Sequence, residues 1–212
     1  MNIKAVIFDL GGVVLGSPLH AIAEYERELG LPKNFVNHVV ANTAPHGAWS
    51  RLERGEISME TFYTDFEKDC AEAGPTFSAR EMMRRMSEVT QPRANMLQAI
   101  GRIRESGLKV AALTNNWISD EEAGPDDGTR ALHGLFDVFV ESSVEGLRKP
   151  DPRIYELVCQ RLEINPSDAV FLDDSGGNLK SARLLGMTTI KVEEPEKALL
   201  ELSNTLGFEL LD

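Results

Sequence analysis

Cysteine is nearly absent. The two in 212 residues, Cys70 and Cys159, stand far apart and in no CxxC. Two isolated thiols exclude a disulfide scaffold and a zinc ribbon. Histidine is almost as scarce. His20, His38, His46 and His133 are never four residues apart, which excludes the HExxH pair of zinc peptidases. No apolar run approaches the ~18 residues of a membrane helix, so no membrane span is expected. Before Asp9 the first segment offers only Ala5-Val6-Ile7-Phe8, too short for the apolar core of a signal peptide. The single N-x-S/T match, Asn165-Pro166-Ser167, is disqualified by its proline. Leu210-Leu211-Asp212 is neither a peroxisomal nor a prenylation signal. By elimination the expected location is cytoplasmic. Basic residues are in deficit, 22 Lys and Arg against 34 Asp and Glu, for a net charge of −12. That balance excludes a broad nucleic-acid or anionic-membrane surface, though not a small pocket for one anion.

The apolar share is ordinary, at 42%, so a globular core is expected. Four short apolar runs read as buried parallel strands: Ala5–Phe8, Val110–Leu113, Phe136–Val140 and Ala169–Leu172. Unbroken apolarity fits a sheet covered on both faces. Helical spacing of apolar residues marks Ala94–Ser106, Pro152–Leu162, Asn178–Leu185 and Pro195–Leu206, three of them closed by glycine. Alternating strands and helices define an α/β fold with a Rossmann-like parallel sheet. The rhythm breaks between residues 17 and 93, where no strand is visible. Helices are expected at Leu19–Leu29, Met59–Cys70 and Ala79–Val89, with Ser58 as a cap. Residues 17–93 therefore read as an inserted helical cap, and residues 1–16 with 94–212 as the α/β core. Asp120–Arg130, acidic and rich in Gly and Pro, reads as a surface loop.

Polar residues follow each strand: Asp9-Leu10-Gly11-Gly12, Thr114-Asn115-Asn116, Arg148-Lys149-Pro150 and Asp173-Asp174-Ser175-Gly176. Ligands of an open parallel sheet bind at the carboxyl ends of its strands, so these groups converge on one edge. Asp9, Asp173 and Asp174 would bring three carboxylates together, and each raises the pKa of the others unless a positive charge intervenes. A hard dication answers that need, and carboxylates plus a substrate phosphate suit Mg²⁺. With Lys149 and the Thr114 hydroxyl, the set handles phosphate. Other motifs fail. Gly11 to Gly16 has the spacing of a phosphate loop, but Ser17 stands where lysine is required. Asp174-Ser175-Gly176 lacks the first glycine of a nucleophile elbow. Response-regulator receivers place their acidic pair after the first strand, whereas here it follows the fourth.

These motifs, Phe8-Asp9-Leu10-Gly11-Gly12-Val13, Leu113-Thr114-Asn115, Lys149-Pro150-Asp151 and Phe171-Leu172-Asp173-Asp174, resemble those of the haloacid dehalogenase-like (HAD) hydrolases. Arg51–Ile57, Leu113–Trp117, Phe171–Lys180 and Ala182–Met187 are similar to the phosphatase domain of soluble epoxide hydrolases. The chain stops where the epoxide hydrolase domain would begin, so that second activity is not expected. The resemblance implies a phosphatase acting on a small-molecule phosphate ester, with a homodimer left open. It makes Asp9 the nucleophile and Asp9, Asp174 and the Gly11 carbonyl the Mg²⁺ ligands. Thr114, Asn115 and Lys149 would hold the phosphoryl group, and Asp173 and Asn178 would support the acidic loop. Family phosphatases carry an acid/base Asp two residues after the nucleophile, where this chain has Gly11. Three outcomes follow: a preference for good leaving groups, a substitute group such as His46, or a weakly active or non-catalytic binding protein. Dehalogenases also lack that Asp, but their acidic loop typically lacks the Asp173-Asp174 pair. His46, Trp49, Arg51 and Trp117 are candidates to line the substrate pocket, with packing at least an equal reading for Trp49 and Trp117.

Overall fold

The computed structural model describes residues 3–118 and 132–211. Asp120–Arg130 lies outside them. Five parallel strands form one sheet: β1 (Ala5–Phe8), β2 (Lys109–Thr114), β3 (Val138–Glu141), β4 (Ala169–Asp173) and β5 (Thr188–Lys191), in the order β3-β2-β1-β4-β5. Phe8 is level with Ala112 on one side and Leu172 on the other. Asp9 therefore emerges beside Asp173 at the carboxyl edge.

Successive side chains of a strand point to opposite faces. Val6, Phe8, Val110, Val170 and Leu172 pack with Met96, Ile100 and Ile103 of the helix Ala94–Glu105 and with Leu199 and Leu202 of the helix Pro195–Leu206. Ile7, Ala111, Leu113 and Phe171 pack with Ile154, Val158 and Leu162 of Pro152–Leu162 and with Leu179 and Ala182 of Gly176–Leu184. Both faces are covered, as the unbroken apolar runs require.

Three differences from the sequence reading have physical causes. The fifth strand, Thr188–Lys191, has only one fully buried side chain, Ile190; as an edge strand it carries no apolar run. The third strand begins two residues later than expected. Phe136 joins the core, but it follows a short 3₁₀ turn at His133–Leu135. The next residue, Asp137, receives the Val110 N–H on its carboxylate at 2.8 Å. Two extra helices, Phe35–Thr43 and Ala48–Glu53, lie among the helices before β2. The first is rich in β-branched residues and Asn, poor helix formers by themselves. Burial of Phe35, Val36 and Val39 fixes it. The buried Glu26 carboxylate completes it by accepting from Asn34 N at 2.9 Å and Val36 N at 2.8 Å, at the positive end of the helix dipole.

These two helices, with Pro18–Glu28, Met59–Ala73 and Ala79–Val89, enclose a separate apolar cluster centred on Trp49, Phe62 and Phe66. Ser58 caps the helix Met59–Ala73, its hydroxyl accepting from Thr61 N at 3.3 Å. The two strands of chain linking this cluster to the sheet run side by side. Gly16 N donates to Gln91 O and Arg93 N to Val14 O, both at 2.9 Å. Gly16 is required at this crossing, because a Cβ there would lie 2.4 Å from the Val89 carbonyl oxygen.

Candidate active site

The carboxyl edge gathers Asp9, Lys149, Asp173 and Asp174. Lys149 Nζ lies 2.8 Å from Asp9 Oδ1 and 2.8 Å from Asp173 Oδ2. Only 1% of the lysine residue is exposed. A buried ammonium needs compensating charge, and here two carboxylates provide it. Burial opposes its protonation, yet Asp173 and Asp9 outweigh that effect and hold its pKa above the ordinary value. Asp173, fully buried, also accepts from Ser175 N at 2.7 Å and from Asn178 Nδ2 at 3.1 Å on each oxygen. Asn178, in the first turn of Gly176–Leu184, thereby orients the acidic loop.

Asp9 Oδ1 accepts from its neighbour's amide, Leu10 N, at 2.7 Å. Asp9 Oδ2 accepts no hydrogen bond from any described residue. Burial raises the Asp9 pKa well above its ordinary value; Lys149 pulls it back, and Asp173 and Asp174 push it up again. The Asp174 pKa is raised too, by burial first and then by Asp173, with Lys149 and Arg93 opposing. One oxygen from each of Asp9, Asp173 and Asp174 falls within 4.8 Å of the others.

This donor set fits Mg²⁺: hard carboxylate oxygens close together, carrying more negative charge than Lys149 alone offsets. The backbone is shaped to it. Gly12 has φ of +78°, and a Cβ there would lie 2.3 Å from Asp174 Oδ2. Only glycine lets the Asp174 carboxylate sit against the turn after β1. At Gly11 the situation is opposite. Its φ and ψ are −62° and 124°, and a Cβ would meet nothing closer than Pro18 Cδ at 3.8 Å. The structure has room there for a side chain that the sequence does not supply.

Thr114 ends β2 and is 4% exposed; its hydroxyl lies 3.4 Å from Asn115 O. The Asn115 side chain clamps the Lys149 peptide, accepting from Lys149 N at 2.8 Å and donating to Lys149 O at 3.1 Å. The Lys149–Pro150 peptide is cis. The other pocket candidates are engaged elsewhere. Trp49 is packed against Phe62, Phe66 and Trp117. Arg51 pairs with Asp65 at 2.9 Å. His46 is exposed, on a turn where Arg54 holds Glu56 and Pro45 O.

Residues the sequence did not single out complete the surroundings. Glu53, from the helical cluster, accepts from Arg148 Nε at 2.5 Å, Trp49 Nε1 at 3.0 Å and Asn115 Nδ2 at 3.4 Å. Its partners Asn115 and Arg148 lie 62 and 95 positions along the chain, so no local pattern marks it. Asn116 donates to Glu141 Oε1 at 2.7 Å and accepts from the Ser143 hydroxyl at 2.9 Å, tying the ends of β2 and β3.

The site is thus a parallel sheet whose carboxyl edge gathers three aspartates around one buried lysine. A family model for haloacid dehalogenase-like hydrolases matches residues 3–186, and the chain belongs to that family. It is 42% identical over 212 residues to acyl-CoA dehydrogenase family member 10 of Mus musculus, covering 98% of this chain and 19% of that protein. It is 34% identical over 225 residues to bifunctional epoxide hydrolase 2 of Sus scrofa, covering 100% of this chain and 40% of that one. The chain thus spans a minor part of both relatives. Against the sesquiterpene phosphatase astK of Aspergillus oryzae the identity is 26%, over 96% of this chain and 97% of the other. A HAD family enzyme of Bacteroides thetaiotaomicron, solved with magnesium and inorganic phosphate, shares the fold at a TM-score of 0.60, 21% identity and coverage of 89% and 93%.

Proposed function

We propose that the protein is a Mg²⁺-dependent phosphomonoester hydrolase that works through an aspartyl-phosphate on Asp9. The observation that carries this reading is Lys149, buried and 2.8 Å from both Asp9 and Asp173. It fixes Asp9 by one oxygen and leaves the other free to attack phosphorus. In the first step an Asp9 oxygen bonds to phosphorus, and the ester oxygen departs with the bonding pair. In the second, water attacks the same phosphorus and gives up a proton to solvent, the bond from phosphorus to Asp9 breaks, and inorganic phosphate leaves with the carboxylate restored. Lys149 and the groups at the end of β2, Thr114 and Asn115, stabilise charge on the phosphoryl oxygens. Asp9, Asp174 and the Gly11 carbonyl would hold Mg²⁺, which supplies charge neutralisation and orientation of the phosphoryl group. The helices between residues 17 and 93 act as the cap that selects the substrate, a small-molecule phosphate ester.

The missing side chain at Gly11 sets the limit. General acid–base catalysis is typically worth about 10²–10⁴-fold. Without it the enzyme favours leaving groups that need little protonation, such as acyl, aryl or anomeric phosphates. The phosphatase name of the Aspergillus relative supports phosphoryl chemistry, and the Asp173-Asp174 pair favours it over carbon–halogen cleavage. A second reading, a binding protein of low activity, rests on the same Gly11.

Hydrolysis of p-nitrophenyl phosphate with Mg²⁺, with EDTA, and by Asp9→Asn tests the mechanism. Activity is expected only in the wild type with Mg²⁺; turnover that survives EDTA or the Asn substitution refutes it. Inactivity on a broad phosphate panel with Mg²⁺ still bound favours the binding protein.

A further inference from the structure

Arg93 stands at the second crossing between helical cluster and sheet, just before the helix Ala94–Glu105. It is half-buried, and its Nη1 is buried with no hydrogen-bond partner. Among the described residues its guanidinium forms no hydrogen bond or salt bridge. A guanidinium nitrogen withdrawn from water without an acceptor is costly, so its position calls for an anion. Arg93 lines a cleft of about 360 Å³ that opens beside Gly12 and Asp174, with Leu19, Ile22 and Val192 as apolar wall. Of the three acidic groups that line the cleft, Asp174 belongs to the acidic centre and the other two are already engaged. Glu26 takes the amides of Asn34 and Val36, and Glu193 takes Lys191 Nζ.

The cleft is lined by Gly12 and Ser17 after β1, Asp174 after β4 and Val192 and Glu193 after β5, whereas none of Thr114, Asn115 and Lys149 lines it. Arg93 is therefore placed away from the groups assigned to the transferred phosphoryl. The acidic centre has its own balance: the three carboxylates match Lys149 and one dication. Arg93 adds to that balance only through its field at Asp174, whose pKa it lowers, and its Nη1 still lacks an acceptor.

We propose that the substrate carries a second anionic group, a carboxylate or a phosphate on its leaving portion, and that Arg93 holds it in this cleft. The inference rests on the phosphatase reading and makes Arg93 a specificity-determining residue. The apolar wall fits a carbon skeleton between the two anions.

The test uses non-hydrolysable ligands, so it reads binding whether or not turnover occurs. Phenylphosphonate, 3-carboxyphenylphosphonate and 1,3-phenylenebisphosphonate are titrated calorimetrically into the Mg²⁺-loaded protein and into Arg93→Gln and Arg93→Lys. The wild type is expected to bind at least one dianionic-headed ligand about tenfold more tightly than phenylphosphonate, the size of one charge-assisted hydrogen bond. The tighter of the two names the anion. Arg93→Gln should abolish that preference and Arg93→Lys should keep part of it. Thermal melts identify a variant that fails to fold, and the wild-type ranking stands without it. Equal binding of all three by the wild type, or a preference that survives Arg93→Gln, overturns the proposal. Loss of the phosphatase reading shows separately, as absence of Asp9-dependent phosphate release.

Discussion

Glu53 and Arg148 meet across 95 positions of the chain, Arg148 Nε donating to Glu53 Oε2 at 2.5 Å. The pair joins the helical cluster to the residue that precedes Lys149. Glu53 also holds Trp49, the centre of that cluster, and Asn115, the clamp on the Lys149 peptide. One nearly buried carboxylate thus connects the packing of the helical cluster to the carboxyl edge of the sheet. Glu53→Ala leaves Arg148 and Trp49 without their acceptor. A loss of about 3 kcal/mol in urea unfolding is expected, the size seen when one partner of a buried pair is removed. Glu53→Gln keeps an acceptor oxygen and should lose less. Equal losses in the two variants would show that the charge-assisted bonds contribute nothing.

How much of this was legible in the sequence follows from the range of the forces involved. β1 and β4 were readable because both faces of a central parallel strand are apolar, so the run itself carries the signal. β5 was not, because an edge strand with Thr188 and Thr189 half-buried has no such run. Asp9, Lys149 and Asp173 were readable because strand ends in an open sheet share one edge, whatever their separation along the chain. Glu53 and Arg93 were not. Each acts through a side chain placed by the docking of helices on the sheet, and residues 17–93 contain no motif that fixes that docking. Trp49 left two readings open, pocket lining and packing, and three ring contacts place it in the packing.

The two thiols should be inert. Cys70 and Cys159 are buried, and burial pushes their pKa values up to about 12 and about 11. The thiolate is the reactive form. Native protein at pH 8 is expected to release no chromophore from Ellman's reagent, and protein in guanidinium to release two equivalents. Rapid native reaction at either site would contradict the packing around it.

Acid sensitivity has a marked contributor in the helix Ala79–Val89. Hydrogen bonds from Arg84 and then Arg85 hold the Glu81 carboxyl down at about 2, below its ordinary 4.5. A carboxylate with a depressed folded pKa contributes stability above its unfolded pKa and loses it as pH falls toward the folded one. Between about pH 5 and pH 2 the wild type should therefore lose more stability than Glu81→Gln. Because the cluster is exposed, the difference should shrink in salt. Parallel pH profiles for the two proteins would remove Glu81 from the acid response.

Gly11 and Gly12 are neighbours under opposite constraints, and substitutions should separate them. Alanine at position 12 meets both a left-handed backbone and the Asp174 carboxylate at 2.3 Å. The backbone cost alone is about 1–2 kcal/mol, and displacement of Asp174 should weaken Mg²⁺ binding by calorimetry. Alanine at position 11 enters open space beside Pro18 and should change stability by less than about 0.5 kcal/mol. Position 11 therefore tolerates the more informative change, Gly11→Asp. A carboxyl placed there can protonate a departing alkoxide, which an alkyl phosphate needs and an aryl phosphate largely does not. Turnover of alkyl phosphates should rise by at least about tenfold relative to aryl phosphates, toward the usual range for general acid catalysis. An equal change on both substrate types would mean that the empty position 11 is not what limits the reaction.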